Sequence, residues 1–233
     1  MSGWNWFTEG WRAFSNSPGM WVVLVLIWFI LMVVLSVIPL IGGLALALVS
    51  PGLVGGMLYA ARESLDGREV QVEHLFTGLR DPATRNRLLL LGAITLGFSV
   101  LMAMVAAVFI GGSMTMLDPM QAGQAPQIGL GGLLGFLFVL AFSLLLGMAL
   151  FFAVPLVMFT DSRPMDALKA SFSASIANIP ALLVFGLVYL VLAFVAAIPM
   201  MLGYLVLLPV TLAAAYQAFV DIFPDSVTAE AQD

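Results

Sequence analysis

Six stretches of this chain, residues 21–38, 41–61, 88–110, 130–159, 181–198 and 204–220, contain no Asp, Glu, Lys, Arg or His. Each approaches or exceeds the ~20 apolar residues a helix needs to cross about 30 Å of hydrocarbon. Inside lipid no water is available to the backbone, so the helix, which satisfies its own N–H and C=O groups, is the expected form. The fold class expected is therefore all-α. One polytopic membrane domain over residues 1–220 holds six transmembrane helices arranged as three hairpins, and an acidic, disordered tail covers 221–233. The fourth stretch is long enough that it must tilt or project beyond the bilayer.

Composition agrees. Hydrophobic residues make up 62% and charged residues 9%, against about 45–50% and about 25% in soluble domains. A soluble surface cannot absorb that excess, so it must face lipid. The net charge of −5 and the lack of a basic tract argue against a nucleic-acid partner. The chain has no cysteine, which excludes disulfides, thiolate metal sites and cysteine nucleophiles.

The basic residues set a direction. Arg12, Arg62, Arg68, Arg80, Arg85, Arg87, Arg163 and Lys169 are all of them, and six crossings put every one on the side of the N-terminus. The opposite side holds two tight turns and the loop 113–129, with no Lys or Arg. That asymmetry predicts cytoplasmic termini and an exported 113–129 loop in a bacterial inner membrane. A cleaved signal peptide is not expected: Glu9 precedes the first apolar run, which is too long for a signal core.

A unit recurs three times, in modules covering about 4–62, 70–160 and 164–220. Trp4, Phe7, Trp11 and Phe14 fall at helical spacing before the first span. Val72, Leu75, Phe76 and Leu79 repeat the spacing before the third, and Met165, Leu168, Phe172 and Ile176 before the fifth. Each set reads as a cytoplasmic interfacial helix whose aromatic and aliphatic side chains anchor in the headgroup layer. Pro18, Pro82 and Pro180 then mark the membrane border, where a missing N–H costs a first helical turn nothing. The second span of each pair carries Pro51, Pro155 or Pro209, followed by Tyr59, Phe159 or Tyr216. Repeats of equal orientation imply a pseudo-rotation axis along the membrane normal. Pro51, with Gly52 and Gly56 beside it, predicts a kinked helix and a close helix approach, within the chain or in a homo-oligomer.

Chemistry-bearing residues are sparse. His74 is the sole histidine and has Glu69 and Glu73 nearby, too few ligands for a metal site of the usual kind. No span carries the acidic or histidine side chains that proton relays use. No nucleophile–base arrangement is visible, so neither an enzyme nor a cofactor is expected. Thr95 and Ser99 suit hydrogen bonds to backbone or to a neighbouring helix.

With Gly10–Trp11 and Phe14 before Pro18, then Ile38–Pro39, "SPGL" at 50–53 and "LDG" followed by "LFTGL", the chain resembles a family of uncharacterised proteobacterial multi-pass inner-membrane proteins known by a locus-tag name. The likeness is strongest from Trp11 to Leu79. It implies a helical inner-membrane protein and transfers no activity or functional residues. The leading expectation is a non-enzymatic membrane protein that binds lipids, protein partners or itself. A facilitative transporter or channel for a small, weakly polar solute is the alternative.

Overall fold

The computed structural model describes residues 3–39, 41–114, 130–160 and 162–224. The 113–129 loop lies outside them apart from its first two residues, and so does the tail beyond residue 224. The regular structure of the described residues is all helix, with no strand. In chain order they form α1 (Gly3–Asn16), α2 (Pro18–Ser36), α3 (Ile41–Leu65), a 3₁₀ segment (Val72–Phe76), α4 (Thr77–Arg80), α5 (Pro82–Met114), α6 (Leu130–Phe151), α7 (Ala153–Phe159), α8 (Pro164–Ala177), α9 (Ile179–Ala197) and α10 (Tyr204–Ile222). Helix α10 runs through Asp221 and Ile222, the first two residues of the expected tail.

Six helices are long and apolar enough to cross a membrane. Proline lies in the first turn of three of them, at Pro18 of α2, Pro82 of α5 and Pro180 of α9. At α5 the side chain of Asp81 adds a cap, its Oδ2 accepting the Thr84 N–H at 2.7 Å. The fourth span differs from expectation, since α6 and α7 are separated by a break at Phe152. Pro155 has no N–H to offer the preceding turn, which weakens the helix there, and a neighbouring helix fills the gap as described below.

Burial is concentrated in α3, α7 and α10. In α3 it runs through Pro51, Gly52, Leu53, Met57 and Ala61, in α7 through Pro155, Leu156 and Phe159, and in α10 through Pro209, Ala213 and Phe219. Helix α3 packs against both α7 and α10. Phe159 of α7 meets the rings of Tyr216 and Phe219 at 5.4 and 5.9 Å. Helices α3, α7 and α10 therefore form the centre, whereas α6 is largely exposed. The first spans α2, α5 and α9 carry long exposed rows such as Phe29, Val108 and Phe194, apolar surface suited to a bilayer.

Candidate functional site

The central helices share a construction. Each receives a short element, after the proline in α3 and α10 and across the break ahead of Pro155 in the α6–α7 span. The segment from the 3₁₀ turn through α4 packs on α3, α8 packs on α6 and α7, and α1 packs on α10. The order is cyclic: the 72–80 segment and α8 each sit on the span that precedes them in the chain, and α1 closes onto the last span, α10. Counted from the proline, two seats coincide. Gly52 and Gly56 stand one and five residues after Pro51, as Val210 and Ala214 stand after Pro209.

Close approach explains the residues found there. A Cβ on Gly56 would overlap the Leu75 carbonyl and lie 2.6 Å from the His74 oxygen. One on Gly78 would lie 2.6 Å from the Gly52 carbonyl. At the other seat, a Cβ on Gly10 would overlap the Val210 carbonyl and lie 2.9 Å from the Ala214 nitrogen. Backbone cannot approach this closely where side chains intervene.

The third seat uses hydroxyls. Ser171 and Ser175 of α8 are fully buried. Ser171 Oγ accepts the Phe152 N–H at 2.9 Å and donates to the Met148 carbonyl at 2.9 Å. It thus bridges the two groups that an unbroken helix would join directly. Ser175 Oγ donates to the same carbonyl at 2.9 Å. The break in the fourth span is filled by the protein's own side chains.

Around α1 the polar groups are similarly matched. The Trp21 indole and the Ser64 hydroxyl both donate to the Ala13 carbonyl, at 3.0 and 2.7 Å. Asn16 donates to the Ser64 carbonyl at 2.9 Å, and Trp6 donates to Asp221 at 3.1 Å. Phe7 stacks on Phe185 with centroids 4.8 Å apart.

The residues expected to share an anchoring face are divided by these contacts. Phe7, Phe14, Leu75 and Leu168 are buried, Phe76 and Phe172 are half-buried, and Trp4 and Trp11 are exposed. The packed faces are instead lined by Gly3, Trp6, Gly10 and Ala13 in α1 and by Ala167, Ser171 and Ser175 in α8. Hydropathy spacing follows large residues, whereas close packing selects small ones, so Ser171 and Ser175 carry no such signal in the sequence. The expected helix before the third span is a 3₁₀ turn and one turn of α4. Pro51, Pro155 and Pro209 are all buried in the centre.

The charged groups gather at one end. Arg68 binds both Glu63 oxygens at 2.6 and 2.7 Å and Asp66 at 2.7 Å. The expected Asp66–Gly67 turn lies between them, with Gly67 at φ 77°. His74 meets the Tyr59 ring edge at 5.3 Å, and its Nδ1 accepts the Gln71 N–H at 3.2 Å. That bond requires a lone pair on Nδ1, and burial likewise pushes the imidazole below its ordinary pKa. The Glu73 carboxylate is taken by Arg80 at 3.0 Å. Asp81 is held below the usual carboxylate range, chiefly by the Thr84 N–H bond. Beside this network a cavity of about 560 Å³ is lined by Asn16, Ser17, Ser64, Arg68 and Glu69, with Met20 and Val70 on its apolar side. A second groove, of about 660 Å³ and almost wholly apolar, lies between α2 and the α9–α10 turn.

Six apolar spans, an apolar outer surface and an interlocked centre define an integral membrane protein of the polytopic helical class. The chain belongs to the family described as Domain of unknown function (DUF7847), whose model matches residues 1–231. It is 30% identical over 201 residues to a "Probable inner membrane protein" of Burkholderia thailandensis, a match that covers 82% of this chain and 73% of the relative. No solved structure matches it. Family and spans together make it a multi-pass inner-membrane protein.

Proposed function

We propose that the chain is a non-enzymatic scaffold or accessory protein of the inner membrane that works by binding lipids or membrane-protein partners. It is built from three modules, each a short cytoplasmic-side element followed by a transmembrane hairpin, with both termini in the cytoplasm. The cyclic seating of α1, the 72–80 segment and α8 supports the modules. The one-sided distribution of Lys and Arg supports the orientation.

The observation that carries the reading is the filled centre. Discontinuous helices bound substrate sites in many transporters, and the break between α6 and α7 is the one feature that favours a facilitator. Here its free N–H and carbonyl are consumed by Ser171, and the packed stretches of α3, α7 and α10 present Gly, Ala, Leu and aromatic residues to one another. A solute path would need continuous polar lining.

Because the natural chain lacks cysteine, single cysteines at Ser50, Thr211 and Ser175 can be probed with a membrane-impermeant thiol reagent. The scaffold reading expects protection at all three. Labelling at two or more would establish a hydrated path and favour the facilitator. Reporter fusions within 120–127 and 67–71 test the orientation, the first expected outside and the second inside.

A further inference from the structure

The cavity beside the Arg68 network has polar and apolar walls at once. Asn16, Ser17, Ser64, Arg68 and Glu69 line one side, and Met20 and Val70 the other. Its volume of about 560 Å³ falls in the ~300–1,000 Å³ range of small-molecule sites. It also stands at the border between water and lipid, since Ser17 and Met20 flank the start of the span α2 at Pro18. From Met20 the steps to Val23, Ile27 and Ile30 are three and four residues, so the four share one helix face. Val23 and Ile30 are exposed, and Met20 and Ile27 are half-buried. An apolar track therefore leads from the cavity into the bilayer.

The polar wall narrows the ligand. Arg68 binds Glu63 and Asp66 through Nε and Nη2, which fixes the guanidinium and leaves its two Nη1 hydrogens as donors. The Ser17 hydroxyl makes no cap bond to α2. Two such donors match a phosphate oxygen, the anion a guanidinium favours. A bare anion is nevertheless a poor fit. Arg68 is the one cation here against Glu63, Asp66 and Glu69, because Arg62 lies over the Phe159 ring at 5.8 Å. Glu69 makes no ion pair among the described residues. A ligand that carries a cation beside its phosphate meets a partner for each charge.

We infer that this cavity binds the headgroup of a phospholipid with a primary ammonium group. The phosphate is held by Arg68 Nη1 and the Ser17 hydroxyl, the ammonium by Glu69, and the chains lie along the Met20–Ile30 track. The inference rests on the lipid-binding reading above and names its lipid.

The test uses the full-length protein purified in dodecylmaltoside and titrated with dioleoylphosphatidylethanolamine. The readout is the thermal midpoint, taken by size exclusion after heating, which a ligand of the folded state raises as it saturates. Parallel titrations use phosphatidylcholine, whose cation has no N–H, phosphatidylglycerol, which has no cation, and phosphoethanolamine, which has no chains. A saturable rise is expected with phosphatidylethanolamine, at an apparent affinity about fivefold above the other three, the worth of one exposed ion pair. Glu69→Gln should abolish the preference over the other two lipids, and Glu69→Lys should reverse it in favour of phosphatidylglycerol. Glu69 is exposed, so both variants should keep the lipid-free midpoint. No saturable rise with phosphatidylethanolamine, equal affinity for the three lipids, or a preference that survives in Glu69→Lys would each overturn the assignment. Phosphoethanolamine binding as tightly as the whole lipid would overturn the lipid as its source. Such a failure leaves the thiol-protection pattern unchanged, whereas failure of the scaffold reading appears in that pattern alone.

Discussion

Replacing Gly56 by Ala places one methyl group where the structure has backbone. The new Cβ would overlap the Leu75 carbonyl carbon and oxygen and come within 2.6 Å of the His74 oxygen. No flexible side-chain tip can swing aside, so the 72–80 segment must lift away from α3. Overpacking of this kind costs about 1–3 kcal/mol. Ala is otherwise the better helix former by about 1 kcal/mol, and that gain must be separated from the clash.

Gly186 of α9 supplies the comparison, because nothing lies within 4 Å of a Cβ there. Gly186→Ala should be neutral or stabilising by up to ~1 kcal/mol, and Gly56→Ala should fall below wild type by roughly 2 kcal/mol at most. At about 2–4 °C per kcal/mol for a chain of this size, the two variants should separate by several degrees in thermal midpoint. Size exclusion of heated, detergent-solubilised protein reads that difference. Equal midpoints for Gly56→Ala and Gly186→Ala would show that the 72–80 segment does not seat on α3, and the cyclic arrangement would lose one of its three joints.

Three other outcomes follow from named contacts. Ser171→Ala leaves the buried Phe152 N–H without its acceptor and should destabilise by about 1–3 kcal/mol. Ser175→Ala should cost less, because Met148 keeps its bond from Ser171, and the double variant should deviate from additivity in a thermal or denaturant series. Trp21→Phe removes one of two donors to the Ala13 carbonyl and should cost about 1 kcal/mol by the same assay. The His74 imidazole is held below its ordinary pKa by burial, with Glu63 and Glu73 opposing and Arg80 and Arg68 reinforcing the shift. Protons then bind the unfolded chain more readily, so stability should decline as pH falls below about 6.5 and level off once the folded imidazole titrates. His74→Asn should flatten the midpoint between pH 7 and pH 5, and an unchanged slope would contradict the burial.

Which parts of this were legible beforehand depends on what the residues advertise. The spans were, because a charge-free apolar run of membrane length has few alternatives, and all six appear as helices. Pro18 and Pro82 marked helix starts correctly, for a purely local reason. The break at Phe152 was not legible. Pro51 and Pro209 sit inside helices that remain continuous, so proline alone does not sever a span. What differs at Phe152 is the hydroxyl of Ser171, 19 positions further along the chain, which competes for the backbone groups. Such a long-range partner leaves no local trace. Gly52 and Gly56 were visible as a close-approach motif, but their partners are Gly78 and Leu75, and Leu75 belongs to the set whose spacing suggests a surface anchor.

The cyclic seating has a consequence for how the first helix must behave. Helix α1 buries Trp6, Phe7 and Phe14, and it finds their cover on α9 and α10, the last spans in the sequence. Its own neighbours cannot substitute, since Phe7 needs the Phe185 ring and the Trp6 N–H needs Asp221. During synthesis these aromatic side chains precede their binding surface by nearly the whole chain. An amphipathic helix left without cover beside a bilayer rests in the headgroup layer, its apolar face in lipid. The aromatic spacing that reads as an interfacial anchor is thus suited to the waiting state, and the small residues Gly3, Gly10 and Ala13 are suited to the docked one. A single helix can satisfy both because the two requirements fall on different residues: large rings for the interface, and missing or minimal side chains where backbone must meet backbone.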